Sequence, residues 1–206
     1  MKKIGIILLS VLLVVLIAVG SCAALAAAEP EEGVFAGMMG EESIDLTKLF
    51  GGLLNGNITL PYPALNHTVQ ESLAEGGAES EYGTLTAMCM APTDASGSVW
   101  VRTWVAYEGR TWTTTMRVRM EAECGEKGVT GIVCIPEEIT VGKLPVPELL
   151  WPMMLGQMAE QTGMPCEDGK LRYSLPDMNL GFLQLKDIRA EQEGLVLQFG
   201  VTNPWG

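Results

Sequence analysis

Arg110-Thr111-Trp112-Thr113-Thr114-Thr115-Met116-Arg117-Val118-Arg119-Met120-Glu121-Ala122-Glu123-Cys124 is the stretch that decides the fold. Its even positions carry Trp112, Thr114, Met116, Val118, Met120, Ala122 and Cys124, while its odd positions carry threonine, arginine and glutamate. Successive side chains of an extended chain point to opposite faces, so this alternation predicts a long strand with one apolar and one wet face.

Working outward, Ser98–Tyr107 alternates in the same way and is joined to Arg110 through Glu108-Gly109, a two-residue hairpin connection. If Tyr107 faces Arg110, then Val105 pairs with Trp112, Thr103 with Thr114, Val101 with Met116 and Val99 with Val118. All of these fall on one face, so turn and pattern agree. The opposite face holds Trp100 near Arg117, with Arg102 and Trp104 beside them. It reads either as a surface ladder with a cation–π contact or as a second covered face.

Further strands are expected at Tyr82–Ala91, Val129–Ile135, Ile139–Leu144, Lys170–Leu175, Phe182–Ala190 and Leu195–Val201. Short helices are expected at Ile44–Leu54, Leu65–Ala74 and Leu149–Thr162, the last delayed by Pro145, Pro147 and Pro152 and ended by Gly163. The fold class is therefore α+β: an antiparallel β-sheet meander packed with a few short helices, after an N-terminal transmembrane or signal helix. Residues 1–28 form the anchor or signal segment, 29–43 a spacer without a clear period, and 44–206 one extracytoplasmic domain.

The N-terminal segment sets the compartment. Lys2 and Lys3 precede a run from Ile4 to Ala28 without a charged side chain, and Glu29, Glu31 and Glu32 follow it. About 20 apolar residues cross a bilayer core, and basic residues stay on the cytoplasmic side. Residues 4–28 are thus expected to meet the membrane, with the N-terminus cytoplasmic and the C-terminal domain outside. Three forms remain open: a single-pass anchor, a signal cleaved after Ala26-Ala27-Ala28 to give a secreted protein, and a lipoprotein acylated at Cys22 within Val19-Gly20-Ser21-Cys22.

Composition narrows the partners. The chain carries 13 basic and 25 acidic residues, a net charge of −12. Such a surface repels phosphate backbones, which argues against nucleic acid, and it gains nothing from anionic headgroups. Cys89, Cys124, Cys134 and Cys166 lie beyond the N-terminal segment and permit two disulfides with three connectivities; no CxxC pair suggests zinc. Asn57-Ile58-Thr59 and Asn66-His67-Thr68 match the glycosylation triplet and suggest surface exposure there.

No catalytic constellation emerges: there is no GxSxG, Walker loop, GxGxxG or HExxH, and His67 is the sole histidine. No cofactor or metal site is expected, and the acidic runs read as solvated faces. Methionine is more suggestive. Trp151, Met154, Leu155 and Met158 share one helix face, opposite a sheet face bearing Trp112, Met116 and Val118. These residues either simply pack together or enclose an apolar groove for an acyl chain or a partner's hydrophobic segment.

The order of parts resembles the YpmS-like family of small bacterial membrane-anchored proteins. The likeness rests on the N-terminal span, a short helix within Leu60–Ala74 ahead of a strand meander, Gly142-Lys143-Leu144-Pro145-Val146-Pro147 leading into an apolar helix, and Glu167-Asp168-Gly169-Lys170-Leu171 opening the terminal strands. It implies an extracytoplasmic domain held at the membrane, with no catalytic residues to carry over. A looser similarity to tubular lipid-binding proteins implies lipid or glycolipid binding. The functional expectation is a membrane-tethered, non-enzymatic domain that binds a lipid-like ligand or a membrane neighbour. Its alternatives are a structural partner in a cell-envelope complex and an acidic-residue hydrolase.

Overall fold

The computed structural model describes residues 22–40, 44–76, 78–80, 83–125, 128–162, 164–175 and 183–201. Most of the expected N-terminal span, residues 4–21, lies outside the described residues, as do Tyr82 and Phe182. Among the described residues no helix is long and apolar enough to cross a membrane.

The described chain is mostly antiparallel β-sheet with a few short helices. Helix α1 spans Leu46–Leu54, α2 Tyr62–Gly76 and α3 Trp151–Thr162. The strands are β1 Asn57–Pro61, β2 Ala78–Ser80, β3 Gly83–Pro92, β4 Ser98–Tyr107, β5 Arg110–Gly125, β6 Gly128–Val141, β7 Leu144–Pro145, β8 Cys166–Glu167, β9 Lys170–Ser174, β10 Leu183–Ala190 and β11 Gly194–Val201. Asp45 caps α1, its carboxylate accepting the Thr47 amide at 2.9 Å. Pro63 sits in the first turn of α2, where no intrahelical donor is lost.

The β4–β5 hairpin has the register read from the sequence: Tyr107 opposite Arg110, Val105 opposite Trp112, Val101 opposite Met116 and Val99 opposite Val118. Glu108 and Gly109 have φ of 49° and 74°, the two left-handed residues that match a tight turn to strand twist. The stretches expected as separate strands at 129–135 and 139–144 run instead as one long β6 as far as Val141, after which Gly142-Lys143 turns and Leu144 opens β7. Glu137 is the extra residue of a bulge, between Glu138 opposite Arg117 and Pro136 opposite Val118.

The meander does not continue into the last strands. Among the described residues there are two sheets: a large one ordered β2-β3-β4-β5-β6-β9-β8, with β7 on β6, and a small one ordered β1-β11-β10. Strand β1, not expected from the sequence, pairs with β11, Leu60 standing opposite Leu195. The inner face of the large sheet is covered along its length. At one end Trp151 and Met154 of α3 join Val99, Met116, Val118 and Ile139, together with Tyr62 and Ala190. At the other, Leu185, Ile188 and Phe199 of the small sheet meet Val129, Ala122 and Ile132.

The free edge of β3 is covered in an unusual way. One side-chain amide, Asn66 on α2, accepts the Met90 N–H at 2.7 Å and donates to the Met90 carbonyl at 2.8 Å; Gln70 donates to the Met88 carbonyl at 2.8 Å. Four residues of helix rise about 6 Å and two residues of strand about 6.7 Å, so an i, i+4 amide pair matches alternate residues along the strand.

Candidate functional site

Part of the outer face of the large sheet is covered too, by the stretch read as a spacer, while the last residues of the uncharged run rest on the turn between β6 and β7. Residues 22–27 are helical and Gly33–Phe35 form a short 3-10 turn. The helical residues end against the turn between β6 and β7: the Lys143 amide donates to the Leu25 carbonyl at 2.8 Å. Gly142 has φ of 57°, and a Cβ there would collide with the carbonyl oxygens of Leu25, Ala26 and Ala28. The turn thus lends a donor to carbonyls that a helix end leaves without intrahelical partners.

Further along, Arg102 reaches through the outer face. Its Nη2 donates to the Glu31 carbonyl at 2.9 Å and its Nε to the Thr115 hydroxyl at 3.1 Å, while its guanidinium lies 4.0 Å from the centre of the Phe35 ring. Arg102 is buried, and that desolvation lowers its pKa, with Cys89 and Glu32 pulling the other way. Phe35 is 7 % exposed and packs on Cys89 and Ala91, with Met38, Trp100 and Trp104 around it. The Met38 carbonyl accepts from Asn66 at 2.9 Å. From Leu25 to Met38 the chain is therefore fastened to the sheet, so the stretch expected as a spacer is docked as far as Met38.

The residues proposed to line a groove come together as core. Trp151, Met154, Met116 and Val118 belong to one packed cluster, Leu155 is 1 % exposed, and the Trp151 indole donates to the Val146 carbonyl at 2.9 Å. Trp112 is half-buried, and the Met158 side chain lies outside the described ones. What the 3-10 turn Glu148–Leu150 and the first turn of α3 leave in the open is Leu149 at 89 %, Leu150 at 44 % and Met153 at 59 % exposure.

All five cysteines are described and free. Cys134 and Cys166 each stand opposite Leu171, one on either side, which separates them by two ladder steps, about 10 Å. Cα atoms more than about 7 Å apart are not bridged without backbone movement. Cys89 is sealed behind Phe35, and burial pushes its thiol up to about 11 against the opposing pull of Arg102; burial alone does the same for Cys134, to about 11. Cys22 and Cys124 are exposed. Asn57 is exposed, but Asn66 is 1 % exposed and its amide is engaged by Met38, Cys89 and Met90. In the folded chain that corrects the surface reading of the second triplet; its amide serves the strand edge.

His67 faces Glu71 at 3.4 Å along α2. Five glutamates on the large sheet pair with arginines: Glu137 and Glu138 with Arg117, Glu137 and Glu121 with Arg119, and Glu123 and Glu167 with Arg172. Trp100 lies under Arg117 at 5.7 Å. Among the described residues no three His, Cys, Asp or Glu side chains converge as metal ligands would. A polar depression of about 320 Å³, lined by Asn57, Thr59, Arg189, Glu191, Val196 and Gln198, opens on the small sheet.

Most of the polar docking contacts do not announce themselves in the sequence, because they run through the main-chain carbonyls of Leu25, Glu31 and Met38. The usable signal was Phe35, the lone aromatic in the glycine- and glutamate-rich stretch 29–43. No family model, no curated protein and no solved structure matches the chain.

Proposed function

We propose that this chain is a membrane-tethered, extracytoplasmic, non-enzymatic domain that engages a neighbour in the membrane. The observation that carries the reading is the docking of residues 25–38 onto the sheet. Whatever precedes Cys22 is joined to the domain by a fixed strut, not a loose leash. Together with the uncharged run 4–28, the flanking lysines and the acids that follow, this supports a domain held close to a bilayer in one orientation. The order of parts that resembles the YpmS-like family supports the same reading.

The version in which the domain carries an acyl chain gains less support, since the described apolar face of α3 is spent on the sheet. The carrier version differs in its readout from a domain that engages a protein, whether as a membrane neighbour or as a structural partner in an envelope complex. Crosslinking in intact membranes yields one dominant protein neighbour if the domain engages a protein, whereas native mass spectrometry finds retained lipid if it is a carrier. Recovering the full chain soluble and unprocessed from the cytosol would end both.

A further inference from the structure

We propose that Leu149 and Leu150, in the 3-10 turn Glu148–Leu150 that leads into α3, and Met153 in the first turn of α3 form a wedge that dips into the interfacial layer of the same bilayer that holds the N-terminal segment. The proposal rests on the tethered reading above and adds the orientation of the domain.

The argument begins where the uncharged run ends. Leu25, Ala26 and Ala28 sit against the Gly142-Lys143 turn, with the Lys143 amide bonded to the Leu25 carbonyl at 2.8 Å. Leu149 follows Lys143 by six positions, a reach of at most about 20 Å. The wedge and the point where the apolar run meets the domain are thus on the same end of the sheet. Three neighbouring large apolar side chains at 89 %, 44 % and 59 % exposure are costly in water and ordinary in a lipid interface.

Charge favours the same occupant. The chain is strongly acidic, so headgroup attraction cannot bring its surface to an anionic bilayer. Between Pro145 and Met153 the only charged side chain is Glu148. This segment is therefore able to approach lipid through its apolar side chains alone. Pro147 and Pro152 stiffen the stretch, so little further ordering is needed on contact.

The far end of the molecule supplies a control. Strand β6 runs from Gly128 to Val141, about 40 Å. At its Gly128 end the Leu185 carbonyl abuts Gly128, Leu185 stands opposite Phe199, and the Phe199 amide bonds the Gly56 carbonyl. Leu54, 89 % exposed, is two residues from Gly56 and belongs to that end.

The test places p-benzoylphenylalanine at position 149, or at position 54, in the full chain. Each is reconstituted into vesicles of phosphatidylglycerol and phosphatidylethanolamine, irradiated, and weighed intact. Both positions are almost fully exposed, so neither substitution touches the core. The expected result is a phospholipid adduct from position 149, at least tenfold above that from position 54. Protein that floats with the vesicles but gives no lipid adduct at 149 overturns the wedge and leaves the tether standing. A chain-to-chain adduct at 149 overturns it in favour of a second copy as occupant. Protein that does not float with vesicles removes the tethered reading, and the wedge with it.

Discussion

The two faces of the large sheet are covered to different extents and by opposite means: the inner face along its length, the outer face only where Phe35 and its neighbours lie, with Arg119, Glu121 and Glu138 left exposed. On the inner face Val99, Met116, Val118 and Ile139 meet apolar side chains from α3, α2 and the small sheet. On the outer face Cys89, Ala91, Arg102, Trp100 and Trp104 meet a single strip of chain, and much of the contact is polar or through a ring face. The inner face is a core in the usual sense, where burial of apolar area supplies the driving force. The outer face is a fastening, made by a few contacts along one segment. Contact of the first kind stabilises the whole fold, whereas contact of the second kind sets where one segment lies.

The largest effects should come from the inner face. Ile139→Ala, at a site 1 % exposed, is expected to lower unfolding free energy by about 3–4 kcal/mol, read as a shift in the midpoint of urea denaturation. Leu155→Ala should behave alike. Phe35→Ala should cost about 2–3 kcal/mol, less than a sealed phenylalanine, because the strip can lift away instead of leaving a cavity. Its distinguishing mark is local: amide exchange should rise across residues 31–38 while the strands stay protected. An equal loss at both sites, without the local signature, would erase the distinction between core and fastening.

Asn66→Ala strips partners from both the N–H and the carbonyl of Met90 and should cost about 2 kcal/mol. Alkaline titration sharpens the comparison further. Burial, with help from Glu191, pushes Tyr62 on the inner face from 10.0 up to about 12, and burial pushes Cys89 on the outer face from 9.0 up to about 11. Both pKa values are raised in the folded state, so the neutral forms stabilise it fully below pH 9. That contribution is lost as pH rises towards 12, by about 2 kcal/mol for each group. With Tyr62→Phe the loss should still begin near pH 9; with Cys89→Ala and Cys134→Ala together its onset should move up to about pH 10. The smallest effect is a labelling order. Iodoacetamide on the native chain should reach Cys124 well before Cys89, by intact mass, and Phe35→Ala should bring Cys89 forward.

The inner face was legible because its signal is local and periodic. Trp112 to Cys124 alternate strictly, Glu108-Gly109 fixes the hairpin register, and Trp151 and Met154 fall on one turn-spaced stripe. The outer face offered no such period. Phe35 and Met38 are its only large apolar anchors in the docked strip, and the remaining contacts use the carbonyls of Leu25 and Glu31, which any sequence possesses. Strand β1 escaped notice for a related reason. Ile58 and Leu60 alternate over too few residues, just before Pro61, and their partner β11 lies at the other end of the chain. Asn66 was misread because a triplet matched there and nothing nearby revealed that its amide would be consumed by Met90.

That consumed amide also governs how copies of this chain can meet. An unpaired β-edge is a template on which sheets from separate molecules can fuse. Here Asn66 and Gln70 occupy the open side of Met88 and Met90, while β8 at the opposite border is only two residues long. Copies crowded side by side are thereby offered little open strand along the borders of the large sheet, and α2 doubles as a guard against lateral polymerisation there.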